Sequence, residues 1–194
     1  MPPRHRLFIA IDPSRETTVA ATRAIERLRA GGIEAAWGDA AHLHVTIHFL
    51  GDEVDDADLH RICVAMDEAA AAVRPFRVQF GGCGAFPTPQ RPRVVWMGVR
   101  EGEPDMVRLH DALAERLEPI GFPPEARGFR PHLTLGRCRG AGRDGTHMAE
   151  VLAACGDMPP SDTSVTRVCL YESHLSRSGA EHNRLHTSPL RGTD

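Results

Sequence analysis

The sequence predicts an α+β fold: two pseudo-symmetric lobes with antiparallel sheets facing each other across a central cleft, and helices on the outside. Three observations lead there. Short apolar runs with strand character alternate with amphipathic helical stretches along the whole chain. A four-residue phrase, His44-Val45-Thr46-Ile47, returns 88 residues later as His132-Leu133-Thr134-Leu135, each copy with a helix before and after it. No low-complexity linker separates the halves, so residues 1–194 read as one bilobal domain with one phrase per lobe, 44–47 and 132–135.

Residues 6–11, RLFIAI, have strand character, and Asp12-Pro13-Ser14 supplies turn and helix-start chemistry. A helix to about Arg29 follows, with Val19, Thr22, Ile25 and Leu28 on one face and Gly31-Gly32 closing it. Next come the strand of the first phrase, a break at Gly51-Asp52, and a helix over 55–73 striped by Leu59, Ile62, Cys63, Met66 and Ala70. The middle reads as strands at 76–80 and 93–99 joined by a Gly/Pro-rich connection. A helix over 103–118 carries Met106, Leu109, Leu113 and Leu117, with Pro119 and Gly121 beyond it. The second phrase lies on a strand at 130–137. A helix at 145–155, a strand at 165–172, a turn at Ser178-Gly179 and a strand at 182–187 complete the pattern.

In an extended strand side chains alternate between faces, so each phrase projects a histidine and a threonine to one side and two aliphatics to the other. With 11 His and 11 Thr in the chain, a bare H-x-T is expected roughly once or less by chance, and a lone copy carries little weight. Requiring an aliphatic residue at both variable positions lowers that to roughly a few hundredths, so the pair is the signal. Imidazole has an unperturbed pKa of about 6.5, so near neutral pH one copy can accept a proton while another donates. An in-line displacement at phosphorus needs such a base and acid on opposite sides, and two opposed histidines supply them without a metal. The hydroxyls of Thr46 and Thr134 would hydrogen-bond non-bridging phosphate oxygens or hold an imidazole in its tautomer.

Composition narrows the field. A formal charge of −3 and a pI near 6.4 argue against a protein that coats nucleic acid through a broad basic face. All 23 basic residues are arginine, a bias given little functional weight. Five cysteines without a C-x-x-C spacing disfavour a disulfide framework or a zinc knuckle and read as reduced core residues. The apolar stretch of MPPRHRLFIAID is too short for a signal peptide or a membrane span, so the expectation is a cytoplasmic protein with no membrane partner. Alternation also puts His42, His44, Thr46 and His48 on one side, which invites a metal reading; without an acidic or cysteine partner in the phrase, no metal and no cofactor are expected.

The segments RLFIAI, HLHVTIHFLG, FRPHLTLGR and LYESHLSRSGAEHNRLHTSPL resemble, in order and spacing, the LigT-like RNA 2′,3′-cyclic phosphodiesterases of the two-histidine phosphoesterase superfamily. That resemblance implies metal-independent hydrolysis of RNA 2′,3′-cyclic phosphate ends to 2′-phosphates, with a weak ability to join or cleave 2′-5′ linked RNA; the expected partners are RNA ends and the expected state is a monomer. It implies His44 as proton donor to the leaving 3′ oxygen and His132 as the acceptor that activates water. It also implies Arg137 as a phosphate contact, although alternation puts Arg137 on the face opposite His132 unless a bulge turns it, whereas Arg130 has the correct parity. Phe8 resembles the first-strand aromatic of the family, able to stack on a base or to serve the core. His42 and His48 stand where members more often carry Asn and a small apolar residue, and His182 replaces an aromatic; His174 and His186, followed two residues later by Ser rather than Thr, are background. Alternatives are a sibling activity, cleavage of 2′-5′ oligonucleotides or of ADP-ribose cyclic phosphate, or a non-catalytic RNA-end binding module.

Overall fold

A computed structural model describes residues 4–138, 145–176 and 179–193. Its strands are β1 (Arg4–Ile11), β2 (Ala35–Trp37), β3 (Val45–Asp55), β4 (Phe76–Thr88), β5 (Arg91–Glu101), β6 (His132–Cys138), β7 (Ser161–Val165), β8 (Arg167–Ser176) and β9 (Gly179–Pro189). Its helices are α1 (Arg15–Ala30), α2 (Leu59–Ala72), α3 (Glu103–Leu117) and α4 (Gly145–Ala154). The strands form two antiparallel sheets, ordered β3-β1-β8-β9 and β2-β6-β5-β4-β7.

The two orders match when β3, β1, β8 and β9 are set against β6, β5, β4 and β7, with β2 as an addition outside β6. With β2, β7 and β9 set aside, the chain reads β1-α1-β3-α2-β4 and then β5-α3-β6-α4-β8, and the last strand of each run joins the sheet of the other. The lobes are therefore not consecutive halves of the chain. The helices cross over too: α1 leaves the first sheet and packs beside β7 and β6, while α3 leaves the second and packs on α2 and β3. Ser14 anchors the first crossing. Its Oγ accepts from Thr17 N at 3.1 Å and donates to Asp162 O at 2.6 Å, while its own N–H donates to Thr163 Oγ1 at 3.0 Å.

Burial follows the helical stripes. Met106, Leu109, Leu113 and Leu117 are all fully buried, as the periodicity predicts. On α1 the face differs: Thr17, Ala21, Ala24 and Leu28 are buried with Ile25, whereas Val19 is 44% exposed. A strict i+3 stripe drifts around a 3.6-residue helix, and the alternating 4-3-4 spacing stays over the core.

Three expectations are corrected. The Gly/Pro-rich connection proposed between 80 and 93 is instead a long hairpin, with β4 and β5 paired from Gln79↔Glu101 to Thr88↔Arg91. Glycine there provides room rather than a turn, because a Cβ on Gly84 would lie 2.3 Å from the Trp96 ring. The single strand proposed at 165–172 is two strands in different sheets, β7 and β8, meeting at Thr166. The break proposed at Gly51-Asp52 is absorbed within β3, where Gly51 takes a φ of +138° that glycine tolerates. Of the turn expected at Ser178-Gly179, Ser178 lies outside the described residues.

Candidate active site

Each phrase enters its strand from a short irregular segment, and in both the histidine is held in the same way. His44 Nδ1–H donates to the carbonyl of His42 at 2.8 Å, and His132 Nδ1–H donates to the carbonyl of Arg130 at 2.7 Å. A carbonyl only accepts, so the proton sits on Nδ1 and Nε2 keeps its lone pair free. The two rings thus present the same nitrogen for proton transfer, although they belong to different sheets. Those sheets approach each other along β3 and β6.

The register explains what alternation alone gets wrong. Between β1 and β3 the pairing passes from Ile9↔His48 to Ala10↔Thr46, skipping Ile47. Between β5 and β6 it passes from Val95↔Gly136 to Trp96↔Thr134, skipping Leu135. Both bulges fall on the fourth residue of the phrase, and each reverses the parity of the residues beyond it. In the second phrase this turns Arg137 toward the face of His132 and Thr134. In the first it turns His48 away from His44 and Thr46, so the one-sided row of His42, His44, Thr46 and His48 expected from alternation does not form. His48 is 2% exposed and donates from Nε2 to Phe122 O at 3.1 Å.

Thr46 and Thr134 are half-buried, and among the described residues their hydroxyls have no hydrogen-bond partner. Arg137 and Arg130 are exposed; Arg130 reaches His132 through its carbonyl. Phe8 is 5% exposed, its ring centroid 4.7 Å from that of His44, with Tyr171 stacked behind it at 5.5 Å. His182 stands edge-on to His44 at 5.0 Å, 5.7 Å from His42. His42 itself sits in a short 3-10 turn at 40–42, not in the strand.

Several neighbours escape sequence reasoning. Phe86 packs edge-on to His132 at 5.1 Å, and Trp96 lies 6.4 Å away. Each imidazole is thus backed by aromatic rings from its own sheet. Tyr171 Oη donates to Asp12 Oδ1 at 2.5 Å, and Arg184 Nη2 donates to Asp12 Oδ2 at 3.1 Å. Nothing in the spacing of these residues relates them to the phrases; only strand pairing does, as in Trp96↔Thr134.

Burial lowers the pKa of His44 below the ordinary imidazole value, partly countered by the His42 carbonyl and the Asp12 charge, with Arg137 and His42 lowering it further. Burial likewise lowers that of His132, opposed by the Arg130 carbonyl and reinforced by Arg127 and Arg137. The Arg137 guanidinium therefore acts on both imidazoles. Two such nitrogens beside two free hydroxyls and one cation suit proton exchange around a phosphate-sized anion. Among the described residues, no three His, Cys, Asp or Glu side chains converge as metal ligands.

Residues 16–177 match the model of the 2′-5′ RNA ligase superfamily. An RNA 2′,3′-cyclic phosphodiesterase of Aeropyrum pernix is 35% identical over 147 residues, 75% of this chain and 80% of that protein. One of Thermotoga maritima is 31% identical over 187 residues, 96% of each chain. A crystal structure from Thermus thermophilus superposes with a TM-score of 0.80 at 26% identity, over 97% of this chain and all of that one. Escherichia coli LigT complexed with 3′-AMP shares the fold, with a TM-score of 0.73 at 24% identity over 97% of this chain and 99% of that one.

Proposed function

The chain belongs to the 2′-5′ RNA ligase superfamily, and on that premise we propose that it is an enzyme hydrolysing RNA 2′,3′-cyclic phosphate ends to 2′-phosphates. The observation that carries this reading is the mirrored tethering of His44 and His132 through Nδ1, with Arg137 acting on both. Water attacks phosphorus as the neutral His132 takes its proton on Nε2; the bond to the 3′ oxygen breaks as His44, in its doubly protonated imidazolium form, donates to it from Nε2. The product is a 2′-phosphate and a free 3′-hydroxyl. The tethering is the same at both rings, so the division into donor and acceptor rests on the family resemblance. Thr46 and Thr134 hold the non-bridging oxygens, and Arg137 balances their charge. A 5′-hydroxyl in place of water would give the 2′-5′ linkage of weak ligation. Phe8, packed behind His44, holds that ring rather than a base. In this reading the whole chain is one bilobal catalytic unit, a cytoplasmic monomer that needs no metal; no described helix is long and apolar enough to cross a membrane.

The test is hydrolysis of an oligoribonucleotide ending in a 2′,3′-cyclic phosphate. Wild type releases 2′-phosphate ends in the presence of EDTA, and His44→Ala or His132→Ala lowers kcat by roughly 10²–10⁴-fold. Loss of activity in EDTA overturns the metal-free mechanism, and full activity in either variant overturns the two-histidine one. Binding of the oligonucleotide with no product from any of the three proteins identifies a binding module instead.

A further inference from the structure

A bulge removes one residue from its ladder, and its carbonyl must find another partner. In the second phrase the Leu135 carbonyl accepts from Gly38 N–H at 2.8 Å. Gly38 opens the segment that leads into His44, and a Cβ there would meet the Leu43 side chain at 3.3 Å and Leu135 O at 3.4 Å. Among the described residues the first phrase has no equivalent backbone donor, because β3 is the edge of its sheet and no described strand corresponds to β2. The Ile47 carbonyl instead accepts from His110 Nδ1–H on α3 at 2.9 Å.

The other side of the His110 ring lies flat on Phe129, centroids 4.5 Å apart and planes 9° from parallel. Phe129 precedes Arg130, whose carbonyl tethers His132. His48, the residue after the first bulge, holds the same loop at the Phe122 carbonyl, and its ring is 5.9 Å from that of His110. Each bulge is thus tied to the segment that delivers the opposite histidine.

We propose that the two bulges form a reciprocal latch fixing the relative placement of the catalytic imidazoles, with His110 as its side-chain half and a positioning residue for the reaction. This rests on the two-histidine reading above, since it is those rings that the latch aligns. Misplacement of reacting groups by a fraction of an ångström slows chemistry more than it weakens binding.

The test compares the full-length wild type with His110→Phe and His110→Asn. Phe keeps a ring over Phe129 but cannot donate to Ile47; Asn keeps a donor but loses the ring. Turnover of a cyclic-phosphate oligoribonucleotide is read as kcat and KM, beside long-range ¹H–¹⁵N NMR of the His44 and His132 rings. Each variant should lower kcat by roughly tenfold or more with KM within about twofold. The His44 resonances should move in His110→Phe and those of His132 in His110→Asn. Wild-type kcat with unmoved resonances in both variants overturns the latch, as does a loss of activity that matches the fraction unfolded by near-ultraviolet circular dichroism. If wild type itself shows no turnover, the functional reading fails, and the resonances alone decide the latch.

Discussion

At the residue scale, the proposed chemistry rests on two imidazoles whose basicity is lowered by burial and by a shared cation. The acid form of His44 is lost as pH rises above its pKa, and the free base of His132 is lost as pH falls below its own. Because both values lie below the ordinary 6.5, kcat/KM should trace a bell whose maximum lies on the acid side of that value. Arg137→Gln removes a positive charge that lowers both, so the bell should move toward higher pH while its height falls by roughly 10–100-fold. A pH–rate profile of the two proteins checks this; an unmoved maximum would mean that Arg137 does not face the imidazoles. The phrase itself was legible from sequence because His and Thr two apart must share a strand face. The shift of Arg137 to that face was not, since it depends on which residue β5 skips.

At the element scale, the bulges decide more than the strands do. Ile47 and Leu135 look like ordinary inward aliphatics, yet they reverse the parity of everything after them. His48 shows the cost. It is driven into the interior, where burial, with His110 adding to it, lowers its pKa to about 4, and where its Nδ1 has no hydrogen-bond partner among the described residues. A folded-state pKa below the unfolded 6.5 means that its stabilising neutral form is fully present above 6.5 and lost as pH falls toward 4. The displacement corresponds to about 3 kcal/mol of acid sensitivity. Urea midpoints measured from pH 7 to pH 4 should therefore fall less steeply in His48→Leu than in wild type. Parallel curves would show that His48 titrates normally. The helices were the most legible elements, because a 3.6-residue stripe is a local property; α3 ran as expected to within a residue. The glycines of β4 were misread as a loop, since only the indole of Trp96 explains why a side chain is absent at Gly84.

At the scale of the whole molecule, the strand orders show two similar sheets built from interleaved segments. The β4 strand from the first half completes the second sheet, and β8 and β9 from the second half complete the first. Neither half holds a finished sheet or a covered core. Residues 1–89 and 90–194 expressed separately should each lack a cooperative thermal transition by circular dichroism and regain one on mixing. A sharp transition in either fragment alone would show that the halves are independent folding units. The doubled phrase made the near-repeat visible in the sequence, but not how the strands are shared between the sheets, because pairing joins residues more than 150 positions apart, such as Leu7↔Glu172.

By itself the sequence determined the two His/Thr pairs, the helices and the α+β class, because each arises from periodicities within a few residues, and it carried the family resemblance in its motifs. Only the tertiary structure decided which sheet each strand joins, where the bulges fall, and hence which of Arg137 and His48 turns toward the imidazoles. Those outcomes depend on hydrogen-bond register between distant strands, and a single skipped residue in that register sends a side chain to the opposite face.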